Sequence, residues 1–299
     1  MRVSVSIVTH QSARHVAACL RGVYAQGHPV HEVLLVDNGS SDGTAERVRR
    51  EFPGVQVLTL HRNSGFAAGQ NRNIARAVGD LVLALNPDVQ LRPSYLAEIA
   101  GHFERDTRLG AATGRILAGG DSTRIDSAGI AYDRLRTRFV DRGRGAQAVD
   151  YETEQEVFGV CATAAVYRRA ALEAVSRRAE APFAERLFMY YEDVDLSWRL
   201  RRAGWRIRYC PRAGAHHLRG GSGASPDFVE YHLVRNRLWV SLRNATPAEF
   251  ARELPGLAIF EGVKCLQALK RPHLRAALAD QLRGVRASLT ERRRTAETS

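Results

Sequence analysis

Nothing in this 299-residue chain marks a protein held together by cysteine or built to cross a membrane. Its four cysteines, Cys19, Cys161, Cys210 and Cys265, are scattered with no CxxC pair, which argues against a disulfide or zinc framework and for a reducing, cytosolic setting. The longest apolar stretches, near 157–167 and 254–269, are too short or too interrupted to span a bilayer. A β-type run begins almost at once after Met1, leaving no room for a signal peptide. The chain shows no internal repeat and no low-complexity tract. It carries neither a Gly-Lys-Ser/Thr phosphate loop nor a GxGxxG turn. Lysine is scarce: nearly all the cations behind the net charge of +12 are arginine, which suits bidentate contacts to phosphate. Such a surface attracts phosphates, anionic lipid or nucleic acid, but charge alone does not choose among them.

What is present reads as one α/β domain with a helical annex. An apolar fraction of 44% supplies a sizeable core. Short β-type runs at 3–8, 32–37, 55–60, 80–85 and 110–117 alternate with helical patterns at 12–25, 43–52, 66–78 and 93–105. Ser12 can cap the first helix and Pro93 can begin the last. This order predicts a mostly parallel sheet covered on both faces, with ligands beyond the carboxyl ends of its strands. The pattern breaks from about 119 to 153, where polar, basic, glycine-bearing sequence predicts an irregular excursion or hairpin over that face. An apolar β-type run follows at 157–167, a helix at 191–203 ending at Gly204, and a strand from Trp205. From about 227 the pattern is helical, with a frayed tail after Thr290. The expected division is 1–226, split into a nucleotide-binding half (1–118) and a base-bearing half (119–226), followed by a basic helical region at 227–299.

Five segments carry chemistry. Glu192, Asp193 and Asp195 stand where an apolar run meets a basic helix, and an apolar wall behind a carboxylate raises its pKa as a general base requires. The alternative is an acidic helix start satisfying the helix dipole. Val33-Leu34-Leu35-Val36-Asp37-Asn38 is a buried strand ending in an acid that can accept an N–H from a nucleobase, or a turn with Ser41 or Asp42 as helix cap. His61-Arg62-Asn63-Ser64-Gly65-Phe66 runs on to Gly69, where glycines allow either close backbone approach to a ligand or helix–strand packing. Leu85-Asn86-Pro87-Asp88 ends a third strand. Asp88 is placed there to hold a divalent cation against a diphosphate, or to sit solvated in an Asx-Pro turn. Beyond the helix, His216-His217-Leu218-Arg219 offers an imidazole for a metal and a guanidinium for phosphate.

Taken together, in this order, these segments resemble family 2 glycosyltransferases of the GT-A fold, and most closely their bacterial rhamnosyltransferase-like branch. The resemblance runs from residue 3 to about residue 240. It implies a nucleotide-diphospho-sugar site formed by Thr9, Asp37, Asn38, Asn63, Gly65, Phe66, Gly69, Asn86 and Arg219, with Asp37 on the base. It implies Mg²⁺ or Mn²⁺ on Asp88, with His217 as a further ligand and His216 as its rival. Asp193 becomes the catalytic base of an inverting transfer, and Glu192 the residue that helps hold the acceptor. The favoured donor is dTDP-L-rhamnose, with UDP-galactofuranose, UDP-hexoses and GDP-mannose as alternatives. The implied acceptor is a lipid-linked or surface glycan assembled on the cytoplasmic leaflet; the arginine-rich helical end after 227 fits either a peripheral surface that docks on anionic lipid or a solvated annex that completes the core. The sequence departs from the family pattern at Asn86, at the Phe158 segment and at the 176–184 link.

Two other classes fit less well. A nucleotidyltransferase needs a glycine- and Arg/Lys-rich loop after the first strand, where this chain has Thr9-His10-Gln11-Ser12. A nucleic-acid module interleaves aromatics with its basic patches. Here Phe188, Tyr190, Tyr191 and Trp198 cluster near the acids instead, so no nucleic-acid partner is expected.

Overall fold

The structure is a computed structural model that describes residues 1–133, 138–176, 181–220 and 223–296. Parts of the basic 134–145 run, the 176–184 link and the stretch after Gly220, together with 297–299, lie outside them. Strands β1 (Val3–Thr9), β2 (Val30–Asp37), β3 (Val55–Thr59) and β4 (Leu81–Leu85) pair in parallel in the order β3-β2-β1-β4. Helices α1 (Val16–Tyr24), α2 (Thr44–Glu51) and α3 (Phe66–Ile74) connect them. After β5 (Val89–Leu91) and α4 (Tyr95–Arg105) comes β6 (Leu109–Ala118), then β7 (Asp121–Ser127) and a separate hairpin of β8 (Ile130–Asp133) and β9 (Arg138–Asp141). β10 (Gln155–Glu156), β11 (Ala164–Arg168), α5 (Arg169–Val175), α6 (Glu192–Arg202) and β12 (Arg206–His217) complete the sheet. β11 enters antiparallel between β4 and β6, while β12 runs parallel to β6. The mostly parallel, two-faced sheet expected from the alternation is the one observed.

The differences from expectation have local causes. α1 starts at Val16, because the Ser12 carbonyl, not its hydroxyl, accepts the N–H groups of His15 and Val16, both at 3.0 Å. α4 starts at Tyr95, two residues after Pro93. The 157–167 run is strand only from Ala164; at Gly159 it bridges to Ile130 of the hairpin instead of joining the sheet. His216 and His217 close β12 and are not in a loop.

The C-terminal helices are α7 (Pro226–Asn244), α8 (Pro247–Ala268) and α9 (Pro272–Ala296). Their starts were written locally. Ser225 accepts from the Phe228 N–H, Thr246 and Glu249 form a capping box, and proline opens each helix. The tail expected to fray is helical to Ala296. Among the described residues no helix is long and apolar enough to cross a membrane.

Asp195 ties α7 to α6. Fully buried, it accepts from Arg199 Nε at 2.9 Å and Asn244 Nδ2 at 2.8 Å, and Arg243 Nε lies 2.9 Å away. Burial alone would raise its pKa; Arg199 and Arg243 outweigh that and hold it below the usual value. Its stabilisation is therefore complete above the unfolded carboxylate pKa of about 3.9 and is lost as pH falls through the lower folded value. Asp195→Ala removes the carboxylate between two buried cations and should cost about 3–5 kcal/mol, read as a lowered melting temperature at neutral pH.

Candidate active site

At the carboxyl ends of β1, β2 and β4 lies a cleft of about 780 Å³, within the range of small-molecule sites. Its floor comes from Val8, Thr9, Asn38 and Asn86-Pro87-Asp88, and one wall from Cys161-Ala162-Thr163. The β8–β9 hairpin supplies Ile130, Phe139 and Asp141, as expected of the excursion over this face. The start of α6 supplies Tyr190 to Val194, and α7 adds Phe228, Val229 and Leu233. The cleft therefore reaches past residue 226, and the first of the C-terminal helices is part of it.

Asp193 faces the cleft with its carboxylate held in place. Its Oδ2 accepts the Ala162 N–H at 3.1 Å and its Oδ1 the Val194 N–H at 2.8 Å, which fixes the carboxylate without neutralising it. Burial pushes its pKa up to about 6, against the pull of the Ala162 N–H and with the Asp141 charge adding. Glu192 is more deeply buried, and one of its carboxylate oxygens has no hydrogen-bond partner. Burial first, and then the Asp193 charge, raise its pKa well above the ordinary range. Two adjacent carboxyls with separated protonation tendencies suit proton transfer.

The loop that aims these acids is strained. Phe188, Tyr190 and Tyr191 have φ of 66°, 66° and 70°, a region that costs L-residues about 1–3 kcal/mol each. α7 holds it there: the Asn236 amide nitrogen lies 2.9, 2.9 and 2.8 Å from the carbonyls of Leu187, Met189 and Tyr190, and Arg235 also donates to Leu187. On the other side the Ala67 N–H donates to the Phe188 carbonyl. Gly65, at φ +89°, makes room for Phe188, whose ring carbon would lie 2.6 Å from any Cβ there.

A second cluster faces the same cleft. His217 Nε2 is 3.3 Å from Asp88 Oδ1, and its Nδ1 is 2.8 Å from Asp126 Oδ2. Burial would lower the His217 pKa, but Asp126 and Asp88 outweigh it and push the ring up to about 9. Arg219 Nε donates to the other Asp126 oxygen at 2.5 Å. A carboxylate behind an imidazole that meets a second carboxylate is the arrangement that orients a metal-binding histidine. Among the described residues no three His, Cys, Asp or Glu side chains converge to hold a metal by themselves. The donor set fits a cation that takes its remaining ligands from water and phosphate oxygens, as Mg²⁺ and Mn²⁺ do. Strand alternation turns His216 away, toward Arg92.

A profile of the family described as glycosyl transferase family 2 matches residues 4–176. The N-acetylglucosaminyl-diphospho-decaprenol L-rhamnosyltransferase of Mycobacterium tuberculosis is 32% identical over 246 residues, covering 74% of this chain and 78% of that protein. This chain belongs to glycosyl transferase family 2. The enzyme is a glycosyltransferase of the rhamnosyltransferase-like branch. Its fold is shared with S. aureus TarS 1–349 in complex with UDP, at TM-score 0.59 and 17% identity over 98% of this chain and 92% of that one. It is shared too with the mannosyltransferase PcManGT of Pyrobaculum calidifontis in complex with GDP-Man and Mn²⁺, at TM-score 0.55 and 18% identity over 95% and 86%.

In this glycosyltransferase the cleft brings together Thr9, Asn38, Asn63, Phe66, Asn86, Asp88, Glu192, Asp193, His217 and Arg219. Three other expected donor-site residues stand off its lining. Asp37 is buried beneath the floor, where Thr9 and Ser40 donate to its Oδ1 at 2.9 and 2.5 Å. A Cβ at Gly69 would lie 2.7 Å from Val8 Cγ1, which is helix–strand packing, and Gly65 faces Phe188. Asn38 and Asn63 bond each other at 2.9 Å and tie the two loops together. Asp126 and Asn236 carried no signal in the sequence, since each acts on a residue far along the chain.

Proposed function

We propose that the enzyme moves a sugar, with rhamnose from dTDP-L-rhamnose favoured, onto a lipid-linked or surface-glycan acceptor with inversion. The observation that carries this reading is Asp193, a fixed carboxylate with its pKa pushed up, facing the same cleft as the Asp88–His217 pair. Asp193 takes the proton of an acceptor hydroxyl. That oxygen forms the new bond at the anomeric carbon from the face opposite the leaving diphosphate. Asp193 is used as a base and no chain nucleophile is required, which fits a single displacement. Glu192 supplies an unpartnered oxygen for the acceptor. Asn38, Asn63 and Phe66 would line the nucleotide side, and Arg219 would meet a phosphate at the rim. Asp88 and His217 would hold Mg²⁺ or Mn²⁺, which when bound stabilises negative charge on the departing diphosphate. The choice of rhamnose rests on the mycobacterial relative, whose name specifies L-rhamnose and a decaprenol-linked acceptor. Galactofuranosyl, mannosyl or other hexosyl transfer uses the same chemistry. The basic surface and the lipid-linked acceptor together support work at an anionic membrane.

The test is a thermal-shift panel of dTDP-, UDP- and GDP-sugars with and without Mn²⁺ or Mg²⁺. At 100 times Kd a ligand stabilises the native state by about 2.7 kcal/mol, so the true donor should raise Tm by several degrees. Asp88→Asn should abolish the metal-dependent part of that rise. Folded protein that answers to no nucleotide sugar would sink the proposal.

A further inference from the structure

α8 presents a face that the fold leaves uncovered. Its inner side is in use: Leu257 and Ala268 are buried, Phe260 lies under the Arg237 guanidinium at 3.7 Å, and Lys264 reaches Glu230 of α7 at 2.7 Å. Its outer side carries Leu254, Ile259, Val263 and Leu266, with Leu269 just beyond; Ile259, Leu266 and Leu269 are 70%, 70% and 73% exposed. The acids of this stretch are turned inward. Glu253 is buried and Glu261 only partly exposed, and Asp280 of α9, with 34% of its side chain exposed, is engaged by Tyr231 and Arg283. Exposed cations bracket the apolar row instead: Arg252 at one end, Lys270 and Arg271 at the other, and Arg275, Arg283 and Arg286 along α9.

An apolar stripe rimmed by cations and free of exposed acids is what an anionic bilayer surface selects. We propose that the outer face of α8 is the membrane-docking surface of this enzyme, lying in the interface of an anionic bilayer with its apolar row inserted. A second copy of the chain is a poorer occupant, since a twofold contact would set the same cations against themselves. α7, which Lys264 ties to α8, carries Phe228, Val229 and Leu233 into the cleft on its other side. This deepens the reading that the acceptor is lipid-linked, and rests on it for its purpose though not for its physics.

Cys265 is exposed on α8, whereas Cys19 and Cys210 are buried and Cys161 is partly so. An environment-sensitive dye on Cys265 therefore reports from beside the face itself. Its emission should shift to the blue on vesicles of phosphatidylcholine containing about one third phosphatidylglycerol and not on phosphatidylcholine alone, and rising salt should weaken the response. Ile259→Ser with Leu266→Ser should weaken vesicle binding by about tenfold or more, with Tm and nucleotide-sugar binding unchanged because neither side chain is buried. Equal binding by the double variant would overturn the proposal. So would indifference of the wild type to anionic vesicles, or a wild-type dimer that the double variant dissolves. Vesicle binding by a protein that binds no nucleotide sugar would leave the docking face standing while the transferase mechanism fell.

Discussion

Asp193→Asn should lower turnover by about 10²–10⁴-fold, the usual worth of a general base, while nucleotide-sugar binding stays near wild type and Tm falls by only a few degrees. The substitution keeps the shape of the side chain and removes its ability to take a proton. The N–H groups of Ala162 and Val194 bond different oxygens of the carboxylate, so on asparagine one keeps an acceptor and the other loses its bond, at a cost of about 1–3 kcal/mol. The pH profile adds a readout that a packing defect would not move. With the carboxyl pushed up to about 6, the wild-type rate should fall as pH drops through that value, about tenfold per unit below it. Burial raises the pKa, so the limb should lie above the range of an exposed aspartate. A mutant turning over near the wild-type rate, or a wild-type profile flat from pH 7 to 5, would remove Asp193 from the role. Glu192 is not expected to substitute. Its pKa is raised further, so it is protonated over more of the range and is a poorer proton acceptor.

The second large effect is expected far from the reacting atoms in sequence. Asn236→Asp should lower kcat by about 10²-fold with little change in donor affinity, and should also destabilise the fold by about 2–4 kcal/mol. The amide nitrogen of Asn236 shares its two protons among the carbonyls of Leu187, Met189 and Tyr190. A carboxylate in its place points negative charge at three carbonyl oxygens. The loop it holds is the strained one, with three non-glycine residues at positive φ immediately before Glu192. Released from the clamp, that loop relaxes and carries Asp193 with it. A structural role alone would move Tm and leave kcat per folded enzyme untouched; the positioning role predicts that kcat falls while the KM for donor holds. Activity measured well below the melting temperature of the variant separates the two.

Periodicity was enough to reveal the alternating strands and helices of the first half, because a strand buried on both faces must be continuously apolar and its connecting helix must not be. The proline- and serine- or threonine-marked starts of α7 and α8 were equally local, since capping needs only three or four neighbouring residues. Phe188-Met189-Tyr190-Tyr191 reads as an ordinary apolar run; its positive φ values are imposed by α7 and by Gly65, neither of which is near in sequence. Asp126 sits in a stretch that looked irregular, yet β7 delivers it to His217, 91 residues away. Asp195 could be paired with Arg199 by helical spacing, but Asn244, 49 residues on, had no such rule. In α8 the sequence showed apolar residues on more than one side, and only the packing against α7 and α9 decided that Leu257 is covered while Ile259 and Leu266 are not. The sequence alone determined the order of the elements and, through the family resemblance, pointed to ten of the residues that line the cleft, because these follow from neighbours along the chain. The strained loop, the carboxylate behind His217 and the free face of α8 belong to the tertiary structure, because each depends on which distant surface comes to lie against it.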